Sequence, residues 1–292
     1  MTLQLKPLHP RFAAEASGVA LGKPLAAATL RALEKAMDRY AVLVFHGQPL
    51  SQGEQVAFAR RFGPLNAGLR KATGAPARFK YDELIDISNV AQDGQVVARD
   101  DAKLVGNIAN QLWHSDSSFQ DAPIAYSMLS AAVVPAEGGE TEFADLRAAY
   151  DALPAKLQRE IDGLVAQHSA FHSRILLGDD KYTPEQLEKF PAVEWPLVRV
   201  HPGSKRKVLF VGVHCTRIPG MTLPEGRMLL ADLLEHATQR EFVFRHEWRA
   251  GDLVMWDNRC TLHRGRRYDL SQRRDLRRTT TEARSATYGE TS

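Results

Sequence analysis

The second half of the 292-residue chain is crowded with short strand patterns, and this crowding constrains the fold more than any other feature. Residues 126–135 (YSMLSAAVVP) and 140–145 (ETEFAD) are typical of strands, and residues 196–213 are typical of a hairpin. Residues 241–265 (EFVFRHEWRAGDLVMWDNRCTLHRG) predict at least two more strands. We therefore predict a mainly β fold, an antiparallel jelly roll with flanking helices, rather than alternating βαβ units.

Helical patterns lie mainly near the start of the chain and between the strand patterns. The spacing of apolar residues and the capping signals predict helices over 29–40, 51–63, 146–164 and 224–239. The second of these helices begins with a capping box from Ser51 to Glu54 and ends at Gly63. Pro154 interrupts the third helix. The segment 64–101 reads as a long, partly mobile loop region around one strand at 84–90.

Composition restricts the class of protein. The length is near the upper limit for one hydrophobic core, so residues 1–292 predict a single domain with helical insertions. A net charge of +3 is too small to indicate a nucleic-acid partner. We expect neither a signal peptide nor a membrane span, because no apolar run has the required length. Two cysteines are too few for a disulfide framework, and we expect a cytoplasmic protein.

The segment LWHSDSSF places His114 and Asp116 two residues apart in an apolar neighbourhood. We interpret it as a strand at the rim of the barrel, in which both side chains would point to the same face. A second histidine from elsewhere would complete the face of two histidines and one carboxylate that suits non-haem Fe(II) and leaves positions open. The H-x-D pair alone is common by chance.

Ten histidines are available for that third position. His168 and His172 have the spacing of a helical zinc pair, but the catalytic glutamate of H-E-x-x-H is missing, so we interpret them as ordinary polar residues. His263 differs, because the buried strand and turn LVMWDNRCTL deliver it into an arginine-rich stretch. The histidines within strand patterns are interpreted as core residues with satisfied hydrogen bonds: His201, His214 and His246.

The motifs WHSD, GGETEF and WDNRCTLHRGRRYDLSQRRDLRR occur in this order. Together they resemble the taurine dioxygenase family of Fe(II)- and alpha-ketoglutarate-dependent dioxygenases, over essentially the whole chain. The segments FARRFGPL, NQLWHSDSSF and RMLLADLLEHATQREF are most similar to the 2,4-dichlorophenoxyacetate dioxygenase branch of that family. The resemblance implies a cupin-like double-stranded β-helix.

The resemblance also implies the metal centre. By it, His114, Asp116 and His263 bind Fe(II), and no catalytic residue is expected beyond this centre. Alpha-ketoglutarate would take two of the remaining iron positions and O2 the third. The protein would position these reactants, because the oxidative chemistry belongs to the iron and the cosubstrate.

Further residues match the family's binding positions. Arg274 lies eleven residues after His263, the family's spacing for the arginine that binds the far carboxylate of alpha-ketoglutarate. Thr141 matches the hydroxyl donor to the same cosubstrate, and the alternative is an ordinary β-branched strand residue. Arg278 matches the arginine for the anionic end of the substrate. Asn110 matches a substrate-contacting position.

Two interpretations near these motifs depend less on the resemblance. Lys71 lies in the loop region that would close over the substrate, and the alternative is a surface lysine. Residues 264–278 hold seven arginines, which by themselves would also fit a solvated basic face. We assign that simpler interpretation to four of them: Arg266, Arg267, Arg273 and Arg277.

The sequence therefore predicts a dioxygenase that hydroxylates a small aryloxyalkanoate such as 2,4-dichlorophenoxyacetate, giving a phenol, glyoxylate, succinate and CO2. One alternative is a taurine or alkyl-sulfonate dioxygenase, because Arg278 would serve a sulfonate equally well. Two alternatives lie outside the class: a non-catalytic metal-binding jelly roll, and a zinc hydrolase with the same three ligands. We expect a small-molecule partner and a homo-oligomer, and no nucleic-acid or membrane partner.

Overall fold

The computed structural model describes residues 2–68, 77–122, 124–179 and 182–283. The strands are β1 (Gln4–Pro7), β2 (Ala14–Ser17), β3 (Val42–Phe45), β4 (Leu65–Asn66), β5 (Ile85–Ser88), β6 (Ile124–Val133), β7 (Thr141–Asp145), β8 (Val165–His168), β9 (Val193–Pro196), β10 (Val198–Val200), β11 (Lys207–Leu209), β12 (Cys215–Arg217), β13 (Val243–His246), β14 (Leu253–Asp257), β15 (Thr261–Gly265) and β16 (Asp275–Glu282). The helices are α1 (Ala27–Tyr40), α2 (Gln52–Ala59), α3 (Ala102–Ile108), α4 (Leu146–Asp151), α5 (Ala155–Ile161), α6 (His172–Ile175), α7 (Pro184–Lys189) and α8 (Leu223–Ala237). The prediction of a mainly β fold with helices is confirmed.

The largest sheet joins strands from both ends of the chain. Its order is β1-β2-β3-β14-β6-β16-β4, and β5 pairs with β16 beside this path. The second sheet that bears on the site has the order β13-β7-β15 and is antiparallel. Two smaller sheets, β12-β8-β9 and β10-β11, lie in the region between β7 and β13 in sequence.

A layer of buried side chains fills the space between the two main sheets. Phe143 of β7 and Phe244 of β13 contact a cluster that includes Val254 and Trp256 of β14 and Leu276 of β16. A second cluster covers the other face of the large sheet with side chains of α1 and α2. Strands such as β3 and β14 are therefore buried on both faces, which explains why their sequences are continuously apolar.

Most predicted elements are confirmed. The capping box from Ser51 to Glu54 is present, although α2 ends at Ala59 and a turn leads on to Gly63. Pro154 separates α4 from α5, and β10 and β11 form the predicted hairpin. Within the described residues, no helix has the length and apolar composition that a membrane span requires.

One pair of strands has different partners from those that adjacency in sequence would suggest. The segment after β6 contains Gly138 and Gly139, both with positive φ, as a turn requires. However, β6 pairs with β14 and β16, whereas β7 pairs with β13 and β15. The chain therefore crosses from one main sheet to the other at the two glycines, and Thr141 is the first residue of β7 after this crossing.

Candidate active site

A single backbone bridge brings the two predicted histidines together. His114 and His263 exchange two hydrogen bonds, from the His114 nitrogen to the His263 oxygen (3.1 Å) and in the reverse direction (2.8 Å). Their imidazole rings lie 4.1 Å apart, centre to centre. His263 belongs to β15, but the LWHSDSSF segment contributes only this bridge. The prediction of a rim strand is therefore wrong, because a turn begins at Asp116.

Asp116 directs one carboxylate oxygen toward both imidazoles, and hydrogen bonds to its other oxygen and its main-chain nitrogen fix its position. Its Oδ1 lies 3.9 Å from His114 Nε2 and 3.7 Å from His263 Nε2. Its Oδ2 accepts a hydrogen bond from Ser127 (2.7 Å), and its main-chain nitrogen donates to the Asn258 side chain (3.1 Å). Asn258 also donates to the Ser127 hydroxyl (2.9 Å). These bonds fix the carboxylate without using the edge that faces the histidines.

The protonation states in this cluster suit a metal. Burial is the largest influence on the pKa of His114 and of His263 and lowers both. Burial alone would raise the pKa of Asp116, but the Arg278 guanidinium and both imidazoles outweigh it and lower that pKa to about 2. Neutral imidazoles and an ionised carboxylate are the forms that coordinate cations.

The tautomer of His114 also fits a metal ligand. Its Nδ1 lies 2.7 Å from the Leu112 carbonyl oxygen, which can only accept, so this nitrogen carries the hydrogen. The Nε2 lone pair therefore points toward Asp116 and His263. The ligand atoms of the three residues all lie within 4.8 Å of one another. Two imidazole nitrogens and one carboxylate oxygen are the donor set of mononuclear non-haem iron sites, so these residues fit Fe(II).

Another buried group of potential ligands is already satisfied internally. His201, Asp257 and Cys260 also lie within metal-binding distance of one another. Asp257, however, pairs with Arg259 (2.6 Å) and with His201 Nε2 (3.0 Å). These contacts occupy both oxygens of the carboxylate, and the group stabilises the turn before β15.

Beside the metal cluster, Arg274 and Thr141 line the same cavity. Arg274 is only 8% exposed, and its guanidinium donates to the carbonyls of Gly139 (3.2 Å) and Ile87 (3.4 Å). No carboxylate of the described residues pairs with it. Burial lowers the pKa of Arg274, which marks the cost of keeping this cation desolvated. An anion from solution would relieve that cost.

Arg278 and Asn110 line both this cavity and a second one beside it. One Arg278 nitrogen donates to Asp116 Oδ1. Its Nε is buried and has no hydrogen-bond partner among the described residues. Asn110 lines both cavities, as does His114. Arg278 therefore retains hydrogen-bonding capacity beside the metal cluster.

Other predicted residues have mixed outcomes. Lys71 lies outside the described residues. Arg266, Arg267 and Arg273 are exposed, as the solvated-face interpretation requires. For Arg277 that interpretation is wrong, because its guanidinium is partly buried and donates to Gln55 (2.8 Å) and to the Leu50 carbonyl.

Several cavity residues carry no local signal in the sequence. Trp256 lines the cavity and its ring lies 4.7 Å from that of His263, whereas Trp113 packs in the neighbouring core. His214 is not the satisfied core histidine that the sequence indicated, since its buried Nδ1 has no partner within the described residues. His214, Phe119 and Arg174 line the second cavity. Only the tertiary fold brings these three together.

The site thus combines three potential metal ligands with a buried arginine in the same cavity. Alpha-ketoglutarate-dependent non-haem iron dioxygenases require such a combination. Comparisons with known proteins place the chain in this class. The family model described as taurine catabolism dioxygenase TauD, TfdA family matches residues 4–280, and the chain belongs to that family.

Relatives agree over nearly the full length. The chain is 60% identical to the alpha-ketoglutarate-dependent 2,4-dichlorophenoxyacetate dioxygenase of Cupriavidus pinatubonensis, over 96% of this chain and 98% of that protein. It is 38% identical to the (S)-phenoxypropionate/alpha-ketoglutarate-dioxygenase of Sphingobium herbicidovorans, over 92% and 91%. The crystal structure of AAD-2 in complex with Mn(II) and N-oxalylglycine is similar with a TM-score of 0.93 and 47% identity, covering 97% of this chain and 98% of that chain. The alternatives outside the dioxygenase class are thereby set aside.

Proposed function

We propose that the protein is an Fe(II)- and alpha-ketoglutarate-dependent dioxygenase that hydroxylates a small aryloxyalkanoate such as 2,4-dichlorophenoxyacetate. The observation that carries this proposal is the buried guanidinium of Arg274, which has no carboxylate partner in the described structure and shares a cavity with the metal cluster. Desolvated cations of this kind need an anion, and the far carboxylate of a ketoacid supplies one. The substrate class follows the relatives at 60% and 57% identity, both named 2,4-dichlorophenoxyacetate dioxygenases.

His114, Asp116 and His263 would hold the iron. When bound, Fe(II) with alpha-ketoglutarate and O2 supplies the oxidising power of the reaction. The protein's own part is to keep both imidazoles neutral, to keep the carboxylate ionised and to hold its non-ligating oxygen through Ser127. Such outer contacts orient metal ligands and are needed for full metal affinity.

Arg274 and Thr141 would bind the cosubstrate. The planar guanidinium can give two parallel hydrogen bonds to a carboxylate, so it fixes orientation as well as charge. Both residues line the cavity that His263 also lines. A ketoacid bound there by its far carboxylate would present its other end to the metal face.

Arg278 would bind the carboxylate of the substrate. Its buried Nε has no hydrogen-bond partner among the described residues and could donate to that carboxylate beside the metal cluster, while another of its nitrogens donates to Asp116. Asn110 stands between the two cavities and would contact the bound acid, and we assign a further substrate contact to Lys71. Apolar side chains would surround the aryl ring: Ile87, Leu104, Ile108 and Phe119.

Hydroxylation is proposed at the carbon between the ether oxygen and the carboxylate. One oxygen atom of O2 enters that C–H bond, and the other enters the cosubstrate as it loses CO2 and becomes succinate. The resulting hemiacetal breaks its bond to the aryl ether oxygen, which takes the hydroxyl proton. The products are then a phenol and glyoxylate.

The fold and setting complete the proposal. Strands from residues 4–7 to 275–282 share one sheet, which faces a second sheet across a common core, and this supports a single domain over residues 1–292 with a double-stranded β-helix at its centre. We assign the protein to the cytoplasm, in keeping with its two free, buried cysteines. We also propose a homo-oligomer, which light scattering would test.

A substrate panel tests the proposed activity. The protein is incubated with Fe(II), alpha-ketoglutarate and O2, and succinate and phenol are measured for phenoxyacetate, 2,4-dichlorophenoxyacetate, taurine and an alkyl sulfonate. We expect succinate coupled to an equal amount of phenol with the aryloxyacetates. Succinate formation only with the sulfonates, and no phenol with the aryloxyacetates, would establish the alternative within the family.

A further inference from the structure

The hydroxyl of Thr141 has one side-chain partner within the described residues, the indole of Trp248. The Nε1 atom of Trp248 lies 3.0 Å from Thr141 Oγ1. An indole N–H donates and cannot accept, so the oxygen of Thr141 must be the acceptor of this bond. A threonine hydroxyl carries one hydrogen as well as its lone pairs, and this bond leaves that hydrogen free for another acceptor.

The position of this indole is set by strand pairing. β13 runs beside β7 with His246 directly opposite Thr141, and Trp248 follows two residues after the strand ends. The indole meets the His246 ring edge-on, with centres 4.6 Å apart and planes at 86°. The chain therefore returns to Thr141 at the point where β7 begins.

A buried carboxylate holds the loop that carries the indole. Asp252 is 1% exposed; its side chain accepts from the Arg249 nitrogen (3.0 Å) and contacts His46 (2.7 Å) and His246 (3.2 Å). Burial alone would raise the pKa of Asp252, but the neighbouring imidazoles of His246 and His46 outweigh it and lower that pKa. The loop is thus tied at both sides of Trp248.

We propose that Trp248 is a positioning residue for the ketoacid. By occupying the lone pair of Thr141 Oγ1 on the loop side, the indole turns the hydroxyl hydrogen toward the cavity and the carboxylate held by Arg274. Thr141 itself is 3% exposed and lines the cavity together with Arg274. A hydroxyl that already points to its acceptor loses less rotational freedom when the ligand binds. This inference rests on the proposed function, which assigns Thr141 to the cosubstrate.

Direct binding measurements test the inference without turnover. Calorimetry on the Mn(II)-loaded protein without O2 would give the Kd of alpha-ketoglutarate and of N-oxalylglycine. Trp248→Phe keeps an aromatic ring against His246 but removes the N–H donor. We expect the Kd for both ligands to rise about two- to tenfold, the range of one net hydrogen bond, while Mn(II) affinity is unchanged.

A double-mutant cycle separates positioning from a general structural role. In the Thr141→Val background there is no hydroxyl to orient, so Trp248→Phe should change the Kd by less than about 1.5-fold, within the uncertainty of additivity. In the Thr141→Ser background, which keeps the hydroxyl, the full effect should return. Trp195→Phe is the matched control, because the Trp195 indole also donates a hydrogen bond (2.8 Å, to the Ser118 carbonyl) but does not line the cavity of Arg274 and Thr141, here called the ketoacid cavity. This substitution should leave the Kd of both ligands unchanged.

Three results would overturn the inference. Trp248→Phe could leave the Kd of the wild-type background unchanged, or it could weaken the ligands equally with and without the Thr141 hydroxyl. The third is an unchanged Kd in Thr141→Val alone, which would also remove Thr141 from the proposed function. Arg274→Gln then tests the rest of that function separately. The Kd of alpha-ketoglutarate must still rise in this variant if Arg274 binds the ketoacid.

Discussion

Arg274 and Arg278 are four residues apart, line one cavity and differ in their partners, so they should bind different anions. Within the described part of the chain, Arg274 donates to backbone carbonyls alone, whereas Arg278 already contacts Asp116 beside the metal cluster. Loss of one partner of a desolvated, charge-assisted pair costs about 2–5 kcal/mol, or roughly 30-fold to several thousand-fold in affinity. Arg274→Gln should raise the Kd of alpha-ketoglutarate by that factor and leave the KM of the aryl acid nearly unchanged. Arg278→Gln should do the reverse.

Calorimetry with alpha-ketoglutarate and steady-state kinetics with 2,4-dichlorophenoxyacetate would measure the two effects. Arg273→Gln is a matched control, because it removes an exposed arginine from the same stretch. If both substitutions weaken the same ligand, or if their effects are exchanged, the assignment of the two anions is wrong.

The metal cluster makes an all-or-none prediction. His114→Ala, Asp116→Ala and His263→Ala should each reduce Fe(II) binding to background and abolish succinate formation, because each removes one of three ligands. Metal content after anaerobic loading and desalting is the measurement. His172→Ala, which changes a histidine outside the cluster, should retain normal metal content; a normal content in Asp116→Ala would contradict the ligand set.

At the residue scale, the H-x-D spacing and the family resemblance identified candidate site residues from sequence. His263 and Arg274, which the resemblance relates by their spacing, line one cavity in the structure. Sequence could not identify Ser127 or Trp248, because each acts through a hydrogen bond to a residue that only the tertiary fold brings within reach. Such contacts depend on strand pairing, which side-chain periodicity does not encode.

At the scale of elements, the segment that follows β5 controls the position of the Arg274 main chain. Asn89 is fully buried; its Nδ2 donates to the carbonyls of Leu270 (3.0 Å) and Gln272 (2.8 Å), and its Oδ1 accepts from the Arg274 nitrogen (2.8 Å). One side chain thus closes the loop between β15 and β16. Asn89→Leu should release that loop, and we expect the Kd of alpha-ketoglutarate to rise about tenfold, equivalent to ~1.4 kcal/mol.

Asn66 provides a matched control for this prediction. Its side chain also makes three hydrogen bonds, to Gln120, Glu282 and the Gly68 nitrogen, but none of these residues lines the ketoacid cavity. Asn66→Leu should lower the melting temperature and leave the Kd unchanged. An equal change of Kd in both variants would mean that Asn89 contributes general stability rather than the placement of Arg274.

Elements were predictable where the local pattern is complete. The capping box of α2 and the proline between α4 and α5 are local signals, and both are confirmed. The LWHSDSSF segment was not predictable, because two residues at alternate positions share a face in a bridge and turn as well as in a strand. The metal face needed only the shared face, so the functional prediction did not depend on the strand.

At the scale of the whole molecule, the mainly β character follows from composition and patterning, but the pairing does not. β6 and β7 are adjacent in sequence and lie in different sheets, and β5 and β16 are far apart and pair. Central strands such as β3 and β14 are buried on both faces, so their apolar runs are uniform and do not specify a pairing partner.

The stability of the whole molecule should depend on the protonation of His168, a buried residue of β8. Burial, reinforced by the charge of Arg199, lowers the pKa of His168 to about 3, and its imidazole contacts Ser118 (3.2 Å) and Cys215 (3.4 Å). In the unfolded chain the same imidazole has a pKa near 6.5. Between these two pKa values the unfolded state binds a proton and the folded state does not. The contribution of the neutral imidazole to the unfolding free energy is therefore fully present above about pH 6.5 and is lost as the pH falls toward 3.

pH 5 lies about 1.5 units below the pKa of the unfolded state, and each unit corresponds to about 1.4 kcal/mol. At pH 5 the unfolding free energy should therefore be lower by about 2 kcal/mol. His168→Asn keeps a hydrogen-bonding atom near Ser118 but cannot be protonated, so its unfolding free energy should fall less than that of the wild type between pH 7 and pH 5. Urea unfolding of both proteins without metal would give this difference. Ser118→Ala is the control, because it removes a hydrogen bond of the imidazole but leaves the imidazole titratable, and it should keep the wild-type pH dependence. Equal pH dependence in wild type and His168→Asn would show that His168 accepts a proton in the folded protein.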